Sequence, residues 1–215
     1  MKEYKKTLLV AVIVCLLPLL LSAAVYSELP EQIAIHWDSA GNPDGYAGRL
    51  AGAFGIPVFL AVLEVICVAA TVHDPKKQNQ SAVSRALIFW LIPILSLVVQ
   101  PVILLVALGR DINVTLVVTL LVGVILILSG NYLPKSRQNY TIGIKVPWTL
   151  ADADNWNKTH RLGGILFILC GLFIIASNFL PMSAGARTIT MVCVTLGAAV
   201  VPVVYSFALY VKGNK

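Results

Sequence analysis

The chain has 215 residues, of which 58% are hydrophobic and only 12% charged, and its formal net charge is +6. Soluble globular domains carry about 25% charged residues, so the composition excludes that class. The basic residues form no single patch on a polar domain, which argues against direct binding of nucleic acid.

A bilayer's hydrocarbon core, about 30 Å thick, needs about 20 apolar residues to cross it as a helix. Backbone groups in lipid must bond within their own segment, so apolar runs of that length are helices rather than open strands. The first is Thr7–Val25, which follows Lys2, Lys5 and Lys6. With Leu21-Ser22-Ala23-Ala24 as a small-residue site it imitates a signal peptide, but the run is long for a cleaved core, and we read it as an uncleaved first helix.

A polar loop, residues 26–50, comes next. Ile33 and Ile35 alternate with Ala34 and His36, a short extended pattern. Asn42-Pro43-Asp44-Gly45 predicts the turn that follows. Asp38, Asn42 and Asp44 do not make a calcium loop, because Ala40 and Arg49 stand where carboxylates are needed. His36 with Asp38 and Asp44 reads as a hydrogen-bonded turn rather than a metal site.

The second and third spans are Ala51–Val72 and Ala86–Leu108, joined by His73–Arg85. Glu64 is the one acidic residue well inside a span, and such residues default to a functional hypothesis, with hydrogen-bonded glue between helices as the alternative. Ser96 falls at a similar depth, and Gln100 one turn further out. Prolines at positions 18, 57, 93, 101 and 202 free carbonyls that could line a cavity.

The fourth span, Asn113–Gly130, leads into a basic, tryptophan-bearing loop at 131–161. Asn139 to Pro147 has extended character, with Ile142 and Ile144 alternating. Thr149 is predicted to cap a helix that runs from Leu150 through Trp156 and His160 into the fifth span. Trp148 and Trp156 suit a belt at headgroup level, and Lys135, Arg137, Lys145, Lys158 and Arg161 suit anionic lipid. The last spans are Leu162–Leu180 and Thr188–Val211. All four cysteines fall within apolar segments and read as small buried hydrophobes.

Thirteen of the 16 basic residues fall at the termini, at 73–85 and at 131–161; only Arg49, Arg110 and Arg187 fall on the other side. The positive-inside rule then puts both termini in the cytoplasm. The expected fold is an all-α membrane protein, a six-transmembrane-helix bundle. It divides into residues 1–108 and 113–215, each with one long loop after its first helix. The two loops share a spaced pattern, Ile33-x-Ile35, Trp37, Arg49-Leu50-x-Gly52 against Ile142-x-Ile144, Trp148, Arg161-Leu162-x-Gly164, as a 3+3 inverted repeat would.

No nucleophile elbow, phosphate loop, zinc-protease or dinucleotide motif is present. The three histidines lie in three different loops, so no common metal site and no cofactor is expected.

The inner loop carries Gly130-Asn131-Tyr132, Asn139-Tyr140-x-Ile142-Gly143-Ile144, Pro147-Trp148-Thr149-Leu150 and Trp156-x-Lys158-Thr159-His160-Arg161-Leu162-Gly163-Gly164. On these residues the chain resembles the SdpI immunity-protein family. The outer loop, with Leu29-Pro30, Ile35-His36-Trp37, Gly41 and Asp44-Gly45-Tyr46, resembles the small domain of unknown function DUF1648 that often precedes it. The resemblance implies a bacterial inner-membrane protein giving immunity to a secreted, membrane-active toxin peptide, and signalling through capture of a cognate ArsR-like repressor at the inner face. Under it, His36, Trp37, Asp44 and Tyr46 would meet the peptide. Asn131, Asn139, Tyr140, Trp148, Thr149, Trp156, His160 and Arg161 would anchor or transmit. A small transporter or channel using Glu64 is the alternative, and a weaker one is an enzyme on a lipid-linked substrate using His160 and Asp152.

Overall fold

The computed structural model describes residues 2–38 and 40–213; Lys215, counted above with the inner basic residues, lies outside them. Among the described residues six helices are long and apolar enough to cross a membrane: Tyr4–Glu28, Arg49–Val72, Ala82–Ala107, Val114–Lys135, Ala153–Ser177 and Ala184–Gly213. The chain is a multi-pass membrane protein. It forms two compact units, one of residues 1–73 and 85–115, the other of 74–84 and 116–215.

In the first unit the opening span is α1 (Lys2–Leu16) and α2 (Pro18–Val25), split at Leu17. Pro18 has no N–H to give and breaks the ladder there. Next comes an antiparallel hairpin, β1 (Gln32–Trp37) and β2 (Pro43–Gly48), pairing Gln32 with Gly48, Ile33 with Ala47 and Ala34 with Tyr46, with an irregularity at His36. The chain reverses at Asp38–Asn42, earlier than the predicted Asn42–Gly45 turn. The Asp38 carboxylate accepts the N–H groups of Ala40 and Asn42 at 2.8 Å, and Gly41 supplies a positive φ of 88°. That closes the turn early and leaves Pro43 to open β2, a strand position where no donor is needed.

The helices α3 (Arg49–Val72) and α4 (Ala82–Ala107) follow. The first N–H of α3 would be an orphan; Arg49 N–H donates to Glu31 O at 2.8 Å instead. Ile33 seats on Gly52, where a Cβ would come within 2.7 Å of the Ile33 Cβ. It joins Leu29, Ala53, Ile103 and Leu104 in a buried cluster. Pro57 leaves Ala53 O without its helical donor. Gln100 of α4 fills the place, its Nε2 donating to Ala53 O at 2.8 Å with Gly52 O and Ser22 Oγ 3.2 Å away. Beside the break in α1, Ser96 Oγ donates to Cys15 O at 2.7 Å.

The second unit contains α5 (Val114–Tyr132), α6 (Pro147–Ala151), α7 (Ala153–Ser177) and α8 (Ala184–Gly213). Two glycine pairs hold α5 against α7. A Cβ on Gly130 would lie 2.6 Å from Gly164 O, and one on Gly164 would lie 2.6 Å from Gly130 O. One on Gly123 would lie 2.9 Å from Gly171 O, and one on Gly171 would lie 2.5 Å from Gly123 O. Small residues let backbones approach this closely, which is how helices associate where lipid removes the hydrophobic drive.

Two expectations about the inner loop need correction. Thr149 does not cap a continuous helix. It sits inside α6, and α7 starts separately after Asp152, whose Oδ1 accepts the Asp154 N–H at 2.8 Å. Asp152 has extended backbone, so the helix breaks there. Trp156 does not present its ring to lipid headgroups, because its side chain is completely buried.

Replacing Gly130 or Gly171 with valine should cost about 1–3 kcal/mol from overpacking, seen as earlier loss of monodisperse protein in a detergent thermal-stability series. Gly197→Val, at a position with open space around it, should leave the curve within experimental error.

Candidate functional site

The two long connections between spans fold into ordered structure, and each is described within its own unit.

The inner segment is built around His160. One turn before it on α7, Trp156 stacks on its ring at 3.9 Å between centroids, and Trp156 Nε1 donates to Ser136 O at 2.7 Å. That bond fixes the chain as it leaves the turn Leu133–Lys135. Asn139 then folds the loop locally: its Oδ1 accepts the N–H groups of Thr141 and Ile142 at 2.9 and 2.7 Å, and its Nδ2 donates to Arg137 O at 2.8 Å. Gly143, with φ of 116°, lies flat over the stacked rings where any Cβ would strike His160 and Trp156. The path then lets Ile144 N–H donate to His160 Nε2 at 2.9 Å. His160 Nδ1 lies 2.8 Å from Trp156 O.

These two contacts fix the tautomer. A nitrogen facing a carbonyl carries the proton, and a nitrogen facing an N–H is bare. Both ring nitrogens of His160 are committed, and the side chain is fully buried. It is therefore no general base for a lipid substrate, and Asp152 is used as a helix cap. Thr149 closes the knot, its hydroxyl accepting from Val146 N–H at 3.1 Å and donating to Ile144 O at 2.8 Å. Trp148 Nε1 donates to Ser206 Oγ of α8 at 2.7 Å, and Asn155 Nδ2 donates to Ser206 O at 2.9 Å.

The predicted inner residues thus divide. Asn139, Thr149, Trp156 and His160 are brought together in one buried knot, and Trp148 bridges α6 to α8. Asn131, Tyr140 and Arg161 stay exposed. Lys76 lies over the exposed Tyr140 ring at 5.5 Å, and Lys145 Nζ donates to Tyr140 O and Thr141 O.

Sequence reasoning missed Asp74. Its carboxylate is buried and accepts from Tyr140 N–H at 2.9 Å, Thr141 Oγ1 at 2.6 Å, Lys76 N–H at 2.8 Å and Gln80 Nε2 at 3.3 Å. Asn79 Nδ2 and Lys76 Nζ add bonds to Gln138 O and Oε1. The connection between α3 and α4 is therefore pinned to the inner loop. The signal was available: Asp74 is the single acid between His73 and Arg85, among three basic residues. Burial pushes its carboxyl up, but the donors from Thr141, Lys76, Tyr140 and Gln80 outweigh that and hold it below the ordinary carboxylate value.

The outer segment is the hairpin. His36 Nδ1 and Asp44 Oδ1 meet at 2.5 Å on its exposed face, and Tyr46 is 57% exposed beside them. Trp37 is half-buried against the Leu29–Ile33 cluster. The Asn42 N–H, above all, holds the Asp38 carboxyl below its ordinary value. Of the polar residues predicted inside the spans, Glu64, Ser96 and Gln100 are all fully buried. Among the described residues no group of three or more His, Cys, Asp or Glu is gathered as a metal site would require.

The Asp74 anchor carries a pH dependence. A carboxyl held below its unfolded value contributes stability in full above that value, 3.8 here, and loses it as pH falls through the lower folded value. Hydrogen exchange at 138–142 should thus quicken in acid in the natural protein. Asp74→Ala should quicken it already at neutral pH, by about the 1–3 kcal/mol of a buried donor left without an acceptor.

The description "SdpI/YfhL protein family" matches residues 135–206, and "Domain of unknown function (DUF1648)" matches residues 13–61. No solved structure matches the chain. Over 213 residues the chain is 30% identical to a protein named Immunity protein SdpI from Bacillus subtilis (strain 168), covering 98% of each. With the similarity running through both ordered segments and all six spans, the chain belongs to the SdpI/YfhL protein family.

Proposed function

We propose that this chain is a membrane immunity protein that protects its cell from a secreted, membrane-active toxin peptide. The observation that carries this reading is the 30% identity to Immunity protein SdpI over 98% of both chains. The hairpin supports a role in meeting the peptide. It displays His36, Asp44 and Tyr46 on a short sheet held firmly by Ile33 on Gly52. A rigid scaffold with exposed polar and aromatic side chains is the usual form of a binding loop. Signalling by capture of an ArsR-like repressor at the inner face is the finer part of the proposal, with the exposed Tyr140, Arg161 and Asn131 as its contact residues. The buried knot of Asn139, Thr149, Trp156 and His160 holds that face in shape.

Cells that a toxin peptide of this class kills should survive it when they produce the chain. Death at the same dose, with the protein present in the membrane fraction, would overturn the reading. Asp44→Ala and Tyr46→Ala should weaken protection without lowering the amount of protein. Arg161→Ala and Tyr140→Ala should spare protection and weaken any transcriptional response. His160→Ala should behave differently, lowering the amount of folded protein because it empties the stacked, doubly bonded site.

Both termini are proposed to lie in the cytoplasm, on the basis of the 13-to-3 basic asymmetry. In a background without the four native cysteines, a cysteine at Asn42 should react with an impermeant thiol reagent in whole cells. A cysteine at Arg137 should react only after permeabilisation. The reverse pattern would invert the orientation.

A further inference from the structure

Glu64 stands apart from the other buried polar groups in its unit. Ser96 and Gln100 donate to backbone carbonyls of neighbouring helices. Glu64 is fully buried, and neither carboxylate oxygen has a hydrogen-bond partner among the described residues. It belongs to the buried stripe of α3, Gly52, Ala53, Pro57, Ala61, Glu64, Val68 and Thr71. On that stripe it is the only group able to carry charge. A side chain kept as interhelical glue would show the bonds that Ser96 and Gln100 show.

The surroundings restrict what Glu64 can hold. The titratable groups that interact with it are two thiols, Cys15 of α1 and Cys67 of α3 itself. From α4 the buried polar side chains beyond its first turn, where Ser84 and Arg85 lie, are Ser96 and Gln100. Neither carries charge, and their donors are committed. On α3 the nearest basic residue on the outer side is Arg49, 15 positions and about 22 Å away, and it is engaged with Pro30 O. A metal ion such as calcium needs six to eight oxygen ligands. Glu64 supplies two, and among the described residues no group of three or more His, Cys, Asp or Glu is gathered that could complete such a shell. A proton needs only one oxygen. Toward the far end of the same helix the polar positions are few. Thr71 lies on the Glu64 face about 10 Å further on, its hydroxyl donating to Cys67 O, and exposed His73 follows at the helix end.

We propose that Glu64 is an intramembrane proton-binding site, a carboxyl that takes up and releases a proton within the first unit. In uptake a carboxylate oxygen forms an O–H bond with a proton from hydronium, and water is left; release reverses the step. This goes beyond the immunity reading and does not depend on it.

The test uses the full chain in liposomes. Infrared spectra would follow the carbonyl stretch of a protonated carboxylic acid from mildly acidic to alkaline pH. The natural protein, Glu64→Gln and Glu64→Asp would be compared. In parallel, a hydrophobic carbodiimide, which adds to protonated carboxyls in apolar surroundings, would be mapped by mass spectrometry. The expected result is a band present in the natural protein and in Glu64→Asp, lost in Glu64→Gln, that fades reversibly as pH rises. The carbodiimide adduct should fall on the Glu64 peptide and decline over the same range. Identical spectra for the natural protein and Glu64→Gln at every pH would overturn the proposal. So would a band that never fades, since a proton that cannot leave is structural. If Glu64→Gln does not fold, the adduct on the natural protein decides alone: a pH-dependent label at Glu64 supports the site, and its absence at every pH rejects it. Neither readout involves toxin survival, so the two readings can fail separately.

Discussion

A backbone carbonyl inside hydrocarbon has no water to turn to, and both units of this protein are arranged around that constraint. Wherever a proline breaks the ladder, a side chain or a neighbouring backbone must take over. The amide of Gln100 answers the carbonyl that Pro57 strands at Ala53, and the hydroxyl of Ser96 answers Cys15 beside the Pro18 break. These are cross-helix ties placed where the helices would otherwise be weakest. The Gln100 bonds bring α2, α3 and α4 together at one level, the level on which Ile33 rests, and the Ser96 bond ties α1 to α4.

In the second unit the constraint is met by approach rather than by replacement. Gly123 with Gly171, and Gly130 with Gly164, bring α5 and α7 to backbone distance. The inner loop inherits that closeness. Pro134 packs directly on Gly164, where a Cβ would lie 2.7 Å from its Cγ. From there Ser136 reaches the Trp156 indole, and Trp156 stacks on His160. Move the helices apart by the width of one side chain, and Ser136 leaves Trp156, so Gly143 and Ile144 lose the surface on which they fold. The two units also share a local device: each long loop sends an isoleucine onto a helical glycine, Ile33 onto Gly52 in the first turn of α3 and Ile144 onto Gly163, ten residues into α7.

The six spans were legible because length and apolarity decide them, and no tertiary knowledge is needed for that. The extended Ile33–Ile35 pattern was legible for the same reason, since alternation is local. The turn at Asp38 was not. A Pro-Asp-Gly sequence is a strong local signal, and it lost to a carboxylate that captures two N–H groups upstream. The inner loop was read as polar and therefore as surface. Part of its polarity in fact faces inward, because the side chains of Asn139, Thr149 and His160 satisfy backbone groups of the loop and of α7. Composition cannot distinguish a polar side chain that seeks water from one that replaces it. Asp74 was overlooked because its partners lie 66 and 67 positions away.

That separation has a consequence for how the chain is made. The segment 74–84 belongs with residues synthesised much later, so it leaves the ribosome without the loop it is built to hold. At about 5–20 residues per second, Asp74 waits roughly 3–13 s for Tyr140 and Thr141. During that interval the preceding and following helices can enter the bilayer, but the link between them stays open to water. Assembly around this link is therefore a late event, completed only when the fourth span has inserted and the loop behind it has emerged. A chain halted before that point would hold its hairpin and its first three spans, with Asp74 still lacking Tyr140 and Thr141.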